Sequence, residues 1–213
     1  MDKNKKKHLD NRLASETLST LAKKTPDGKT RLKDIILEFH ENGFALVMIF
    51  FSLPIAIPLP YPPGFTTLFG VPLILFSIQM MLGYENIKLS KRIEEYEINN
   101  STLIMIAGKA IPILQRIEKY LKPRYSFANS VYCEQILGFI SLVCAISIAI
   151  PLPLTNSIPA WGITVMSLGL LKRDGLIILL GILVSIIGNI IAFFAVMGSW
   201  YLVKAVFNYI FNF

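Results

Sequence analysis

The chain of 213 residues is 54% hydrophobic and only 16% charged, where a soluble globular domain carries about a quarter charged residues. Its net charge of +7 would suit a nucleic-acid binder, but no Asp, Glu, Lys or Arg occurs over 42–84, 135–171 or 175–203. Hydrocarbon demands such stretches, since a charge at the bilayer centre costs at least ~2.5–3.5 kcal/mol. A soluble core of this size does not demand them, so a soluble fold and a nucleic-acid partner are both set aside.

Residues 1–43 are polar and read as an N-terminal segment. Lys3, Lys5, Lys6 and Lys7 form a basic tail, either solvated or touching anionic lipid headgroups. Leu9, Leu13, Leu18 and Leu21 have loosely helical spacing before a Thr25–Gly28 turn. Thr30 then caps an expected amphipathic helix through Leu32, Ile35, Ile36 and Phe39, ending at Gly43. The first apolar run starts near Phe44, too late for a cleavable signal peptide.

Residues 44–83 form a first membrane hairpin. Its arms, Phe44–Ile57 and Leu68–Leu82, flank a break containing Pro58, Pro60, Pro62, Pro63 and Gly64, where prolines cannot complete a helical ladder. Each arm is about 20–23 Å long as helix, short of the ~30 Å hydrocarbon core. Either the arms extend into their flanks and cross, or the hairpin is re-entrant with its tip held in protein.

Residues 84–133 are cytoplasmic or interfacial. Leu103, Ile106, Ala110, Leu114, Ile117 and Leu121 make one apolar stripe, with Lys109, Arg116 and Lys119 elsewhere. A second hairpin, 134–171, has arms Gln135–Ile150 and Ile158–Leu171 around a break with Pro151, Pro153, Thr155 and Asn156. Residues 172–213 hold a tight Lys172–Gly175 turn, a spanning helix over Leu176–Met197, and an aromatic tail with Trp200 and Tyr201 suited to the opposite interface. Cys133 and Cys144 fall on one helix and read as packing residues.

Of the 21 Lys and Arg, ten lie between Lys3 and Lys33 and eight between Lys88 and Arg124; the rest are Lys172, Arg173 and Lys204. The Pro-rich breaks carry none. The positive-inside rule therefore puts the N-terminus, the central segment and the Lys172–Gly175 turn in the cytoplasm. The expected fold is an all-α, multi-pass integral membrane protein.

The hexapeptide Ile55-Ala-Ile-Pro-Leu-Pro60 recurs unchanged as Ile148-Ala-Ile-Pro-Leu-Pro153. Ser77-Ile-Gln-Met-Met81 resembles Ser167-Leu-Gly-Leu-Leu171 after a three-residue change of register. These matches read as a duplicated hairpin, and the charge pattern makes the copies parallel rather than inverted. Internal repeats with broken helices are a common construction of transporters, with substrate bound where the breaks meet; the alternative is that the prolines only shape packing.

A family resemblance rests on Glu41-Asn-Gly-Phe44, Pro62-Pro-Gly64, Gly70-Val-Pro72, Gln79 with Leu82-Gly83, Pro151 with Asn156 and Pro159-Ala160, and Gly169–Gly175. Over about 18–197 the chain resembles the ExoD family, named for exopolysaccharide synthesis. Asn42 stands where a basic residue is expected. The resemblance implies a bacterial inner (cytoplasmic) membrane protein of polysaccharide export or envelope physiology. It implies no catalytic chemistry.

The candidate substrate-binding residues are those at the breaks, Pro58, Pro60, Pro63, Gly64, Thr66, Thr67, Pro151, Pro153 and Asn156, together with Gln79, Arg173 and Asp174. Thr66, Thr67 and Asn156 either cradle an anionic headgroup at helix N-termini or cap helices. Gln79 either lines a pathway or bonds across helices, and Asn189 reads as interhelical glue. Arg173 and Asp174 form either a gate or a turn in which Asp174 caps the last helix. His8 and His40 lack companions at metal-binding spacing, no phosphate loop or nucleophile–base pair is present, and no enzyme activity, metal or cofactor is expected. The leading reading is a transporter-like protein moving or positioning a lipid-linked or small anionic intermediate. The alternatives are a non-transporting scaffold for polysaccharide assembly and an ion or proton antiporter; the last is disfavoured because no acid lies within the spans. Membrane lipids are the expected partners, and a homo-oligomer stays open.

Overall fold

The computed structural model describes residues 29–31, 42–58, 62, 64–89, 119–150 and 155–211, with 95, 97–99, 104, 108, 112, 115 and 116 between them. The expected helices over 9–21 and 32–39, most of the Leu103–Leu121 stripe, and Pro60, Pro63, Pro151 and Pro153 lie outside the described residues.

Among the described residues five α-helices carry the fold: α1 (Gly43–Ala56), α2 (Phe65–Met81), α3 (Val131–Ala149), α4 (Ser157–Leu171) and α5 (Gly175–Phe211). A two-stranded antiparallel ribbon adds β1 (Lys29–Arg31) and β2 (Glu97–Asn99), pairing Thr30 with Ile98. Thr30 is thus a strand residue, not the expected helix cap. Among the described residues two helices are long and apolar enough to cross a membrane, Val131–Ala149 and Gly175–Leu202; α1, α2 and α4 are apolar but shorter.

The helix ends follow from local chemistry. α1 stops at Ile57 (φ −73, ψ 121) and α3 at Ile150 (φ −77, ψ 117). Each precedes a proline, whose ring excludes the helical conformation from the residue before it. These are equivalent positions of the repeated hexapeptide, and the backbone leaves the helix the same way at both. α3 begins at Val131, three residues ahead of the expected hairpin boundary, because Ser130 Oγ accepts the Tyr132 N–H at 3.3 Å. α5 runs to Phe211, through the expected tail, since no proline follows Gly198 to stop it.

The second helices also end alike. After α2, the Gly83 N–H donates to Met80 O (3.0 Å) and the Tyr84 N–H to Gln79 O (3.1 Å). After α4, the Arg173 N–H donates to Leu170 O (3.1 Å) and the Asp174 N–H to Gly169 O (2.8 Å). Both are Schellman stops, with Gly83 (φ 73) and Arg173 (φ 54) at the left-handed position. They are related by the same three-residue change of register that aligns Ser77 with Ser167. Arginine holds a conformation there that the other hairpin gives to glycine.

Each hairpin packs more extensively on the other than its own arms pack together: α2 lies along α3, and α1 along α4. Exchanging the hairpins turns one of these contacts into the other. α2 and α3 are antiparallel, with Gly138 against the Met81 backbone at one end and Gly70 against Ala149 at the other, where an added Cβ would come within 3.2 Å of the Ala149 backbone. In the α1–α4 contact Ser52 Oγ and Thr164 Oγ1 share a 2.7 Å hydrogen bond, both buried. Directions alternate along the chain, so α1 and α3 run the same way. At equivalent places Ile55 and Ile148 are wholly buried.

α5 joins this four-helix core on the side of the second hairpin. Its Ile178, Gly181, Ser185 and Gly188 meet Gly169, Met166, Gly162 and Pro159 of α4 in antiparallel order. Small residues at that spacing let two backbones approach closely. The corresponding flank of the first hairpin is filled by rings instead: Phe51 packs on Phe69 (6.0 Å between centroids) and Phe76 (5.9 Å), and Phe65 on Phe69 (4.7 Å). A Cβ at Gly181 would run into the Met166 backbone. Gly181→Ala should therefore lower stability by about 1–3 kcal/mol, through overpacking, while Gly198→Ala, with open space around it, should not. Thermal denaturation of the two variants in detergent measures the contrast.

Candidate functional site

The candidate residues divide between two ends of the bundle, a break end and a basic end. At the break end α3 terminates with its last carbonyls turned toward the first hairpin and toward the start of α4. Asn156 donates its amide to Ile148 O (3.1 Å) and Ile150 O (3.0 Å). Thr67, in the first turn of α2, donates its hydroxyl to Ala149 O (3.1 Å). Three successive carbonyls, orphaned when Pro151 ends the helix, are thus taken by two side chains from different hairpins. Asn156 holds the N-cap position of α4 but does not cap that helix through its side chain; its amide serves α3. The Thr67 bond ties the start of α2 to the end of α3.

On the first break, Gly64 is left-handed (φ 88) and opens α2, with the Phe65 N–H donating to Pro62 O (3.2 Å) and the Leu68 N–H to Gly64 O (2.9 Å). Pro58 is exposed and Thr66 half-buried. Beside the second break, α3 and α5 enclose an open groove of about 510 Å³. Val143, Ile150, Ile190, Phe193 and Phe194 give it apolar walls. Its inner polar element is Ser147, whose hydroxyl donates to Asn189 Oδ1 at 2.8 Å; the Asn189 amide in turn donates to Ser185 O at 2.9 Å and contacts Cys144 Sγ at 3.0 Å. Asn189 is interhelical glue, as its sequence position suggests.

At the basic end Gln79 forms a two-point amide pairing with one backbone residue: Nε2 donates to Lys88 O (3.0 Å) and Oε1 accepts the Lys88 N–H (2.7 Å). It pins the chain leaving the first hairpin. Asp174 is 1% exposed. Its Oδ1 accepts the N–H groups of Leu176 (3.2 Å) and Ile177 (3.5 Å), capping α5, and its Oδ2 accepts the Lys122 N–H (3.0 Å). Arg124 Nε lies 4.0 Å from Oδ2. Backbone bonds flank this carboxylate, from the Arg124 N–H to Arg173 O (3.3 Å) and from the Gly175 N–H to Arg124 O (2.9 Å). Arg124, half-exposed, is the cationic neighbour of Asp174 that sequence reasoning missed. Only pairing between distant segments, 122–124 with 173–175, brings it there.

A bundle of apolar helices, broken by prolines and sealed by internal hydrogen bonds, has the build of a membrane protein. The particular family is shown by comparison: the chain belongs to the ExoD family, whose model, described as "Exopolysaccharide synthesis, ExoD", matches residues 14–195. It is 29% identical over 191 residues to Protein ExoD of Rhizobium meliloti (strain 1021), covering 88% of this chain and 78% of that one. It is 32% identical over 177 residues to an uncharacterised protein of Synechocystis sp., covering 83% of each. No solved structure matches.

Two variants probe the geometry. Asp174 uses both oxygens as acceptors, on opposite sides, whereas an amide has one. Asp174→Asn turns its NH2 toward a backbone N–H and should destabilise by about 1–3 kcal/mol, more than a simple cap replacement would. Asn156→Ala leaves the Ile148 and Ile150 carbonyls without their partner and should cost a similar amount. Thermal unfolding in detergent, alongside Asn208→Ala on the exposed far end of α5 as a neutral reference, reads both.

Proposed function

We propose that this ExoD-family chain is a multi-pass inner-membrane protein, its basic end cytoplasmic, that positions a lipid-linked intermediate of exopolysaccharide or envelope biogenesis. In this reading the hairpins are an ancestral duplication and the protein is transporter-like. The observation that carries it is the open groove beside the second break. Its walls are apolar, its few polar groups already bond to one another, and it lies where the two hairpins are tied together. Such a groove suits a hydrocarbon chain better than a charged headgroup, because no donor in it is left to meet an anion. The matching ends of the hairpins and their reciprocal packing support the duplication.

One observation favours the scaffold reading. Thr67, Gln79, Asn156 and Asp174 all spend their side-chain hydrogen bonds on the protein's own backbone. A protein whose polar candidates are all structural could hold partners in place without moving anything.

The test separates the two. Ala192 is buried in the groove lining, and Ala192→Phe should fill the space while keeping the helix. In a strain lacking the chain, the native protein should restore exopolysaccharide output and Ala192→Phe should restore less than about a tenth of it at equal membrane abundance, the loss of ~1.4 kcal/mol of binding. Equal output from both leaves the groove without a role and favours the scaffold.

A further inference from the structure

α5 measures how far the hairpins reach. Gly175 lies at the basic end, bonded to Arg124 O at 2.9 Å and followed immediately by the capped turn. Lys122, Arg124, Lys172 and Arg173 surround that level, which marks one membrane surface. Along α5, successive contacts step down the second hairpin: Ile178 with Gly169, Gly181 with Met166, Ser185 with Gly162, Gly188 with Pro159. Ser147 of α3 meets Asn189 at 2.8 Å. Both arms run two or three residues past these contacts, α3 to Ile150 and α4 back to Ser157, and so end level with Ile190 to Ala192, about 23–26 Å from Gly175 at 1.5 Å per residue. The first hairpin ends at the same level, because Thr67 bonds Ala149 O.

α5 does not stop there. The apolar stretch Gly175–Leu202 is 28 residues long, or about 42 Å. Its exposed Trp200 and Tyr201 lie about 38 Å from Gly175, where an aromatic belt suits the far interface of a bilayer ~40–45 Å thick with its headgroups. The arms end about 12–15 Å short of Trp200. Among the described residues around them, Ile57, Pro58, Pro62, Thr67, Leu68, Ile150, Phe193 and Phe194 are exposed, Thr67 being polar and bonded to Ala149 O, and neither break sequence carries a charge.

The end of α3 speaks independently for the same depth. A helix ending in water leaves its last carbonyls to the solvent, whereas one ending in hydrocarbon must satisfy them internally. Ile148 O, Ala149 O and Ile150 O are all taken by Asn156 and Thr67.

We infer that both hairpins are re-entrant: they enter from the basic side, turn at the proline breaks inside the far half of the bilayer, and return, while α5 crosses. The inference rests on the membrane reading above and deepens it. The groove beside the second break then opens sideways into the far leaflet, so a hydrocarbon chain reaches it through the membrane and not through water. The N-terminal flank of α1 and the end of α5 lie on opposite sides.

The chain's two tryptophans provide native depth probes. Trp161 lies beside the Gly162–Ser185 contact, about 15 Å from the basic end, and Trp200 lies in the far belt. Single-Trp proteins made by Trp200→Phe or Trp161→Phe are reconstituted in vesicles of phosphatidylcholine brominated either near the headgroup or near the chain end. Two further probes, Ile57→Trp and Leu68→Trp, are placed at the first break in a background lacking both native tryptophans. Trp161, Ile57→Trp and Leu68→Trp should be quenched more by deep bromine than by shallow, a ratio above one, and Trp200 less, a ratio below one. Shallow-type ratios at Ile57→Trp and Leu68→Trp matching that of Trp200 would mean that the hairpins cross and would overturn the proposal. Trp161 lies at mid-depth on either arrangement and so serves as the internal deep standard, while Ile57→Trp and Leu68→Trp, on different helices, decide separately if one of them disturbs its break. Release of the protein from membranes by alkaline carbonate would instead remove the membrane reading itself.

Discussion

Three carbonyl oxygens at the end of α3 govern the rest of the architecture. Pro151 forces Ile150 out of the helix, and the ladder ends with Ile148, Ala149 and Ile150 still offering acceptors. In an apolar bundle an unmet acceptor costs about 1–3 kcal/mol, so donors have to arrive from elsewhere. Asn156 reaches back from the start of α4, which fixes how tightly the second hairpin folds. Thr67 reaches over from α2, which fixes where the first hairpin sits. Docking the hairpins and completing the hydrogen bonds of the break are one event.

The reciprocal arrangement of the hairpins leaves a choice about the outer flanks, and the side chains make it. The second hairpin presents Pro159, Gly162 and Gly169 and receives α5 at backbone distance. The first presents Phe51, Phe69 and Phe76 at the corresponding flank and closes itself with rings. One fold unit thus serves once as a cradle and once as a sealed wall, and the difference lies in side-chain volume. The Arg173 stop shows a similar divergence: the backbone turns as it does at Gly83, although arginine tolerates that turn less well.

Much of this was legible in the sequence because it was written in the strongest signals available. Charge-free runs located the apolar helices, and prolines located their ends to within a few residues. The repeated hexapeptide anticipated the shared exit geometry of Ile57 and Ile150. The cap at Asp174 was one of the two readings its position left open, and the bridging role of Asn189 followed from residue type and position. The partners did not. Nothing local in Gln79 announces Lys88 as its backbone partner, and nothing in Lys122 or Arg124 announces Asp174, about fifty residues away, because pairing between irregular segments leaves no periodic trace. Thr30 reads as a cap for a related reason: a threonine before an amphipathic pattern holds that position, while its pairing with Ile98 depends on a distant strand. The extent of α5 was underestimated because aromatic residues at an interface and aromatic residues in a helix have the same composition.

The hydrogen bond between Ser52 and Thr164 spans 112 residues of chain. At synthesis rates of about 5–20 residues per second, α1 leaves the ribosome on the order of ten seconds before its partner exists. Through that interval the hydroxyl of Ser52 has only its own helix to bond to, and the inner face of the first hairpin is bare. Biogenesis of this protein therefore includes a waiting period, in which half of the core is already made and must stay shielded until α4 follows.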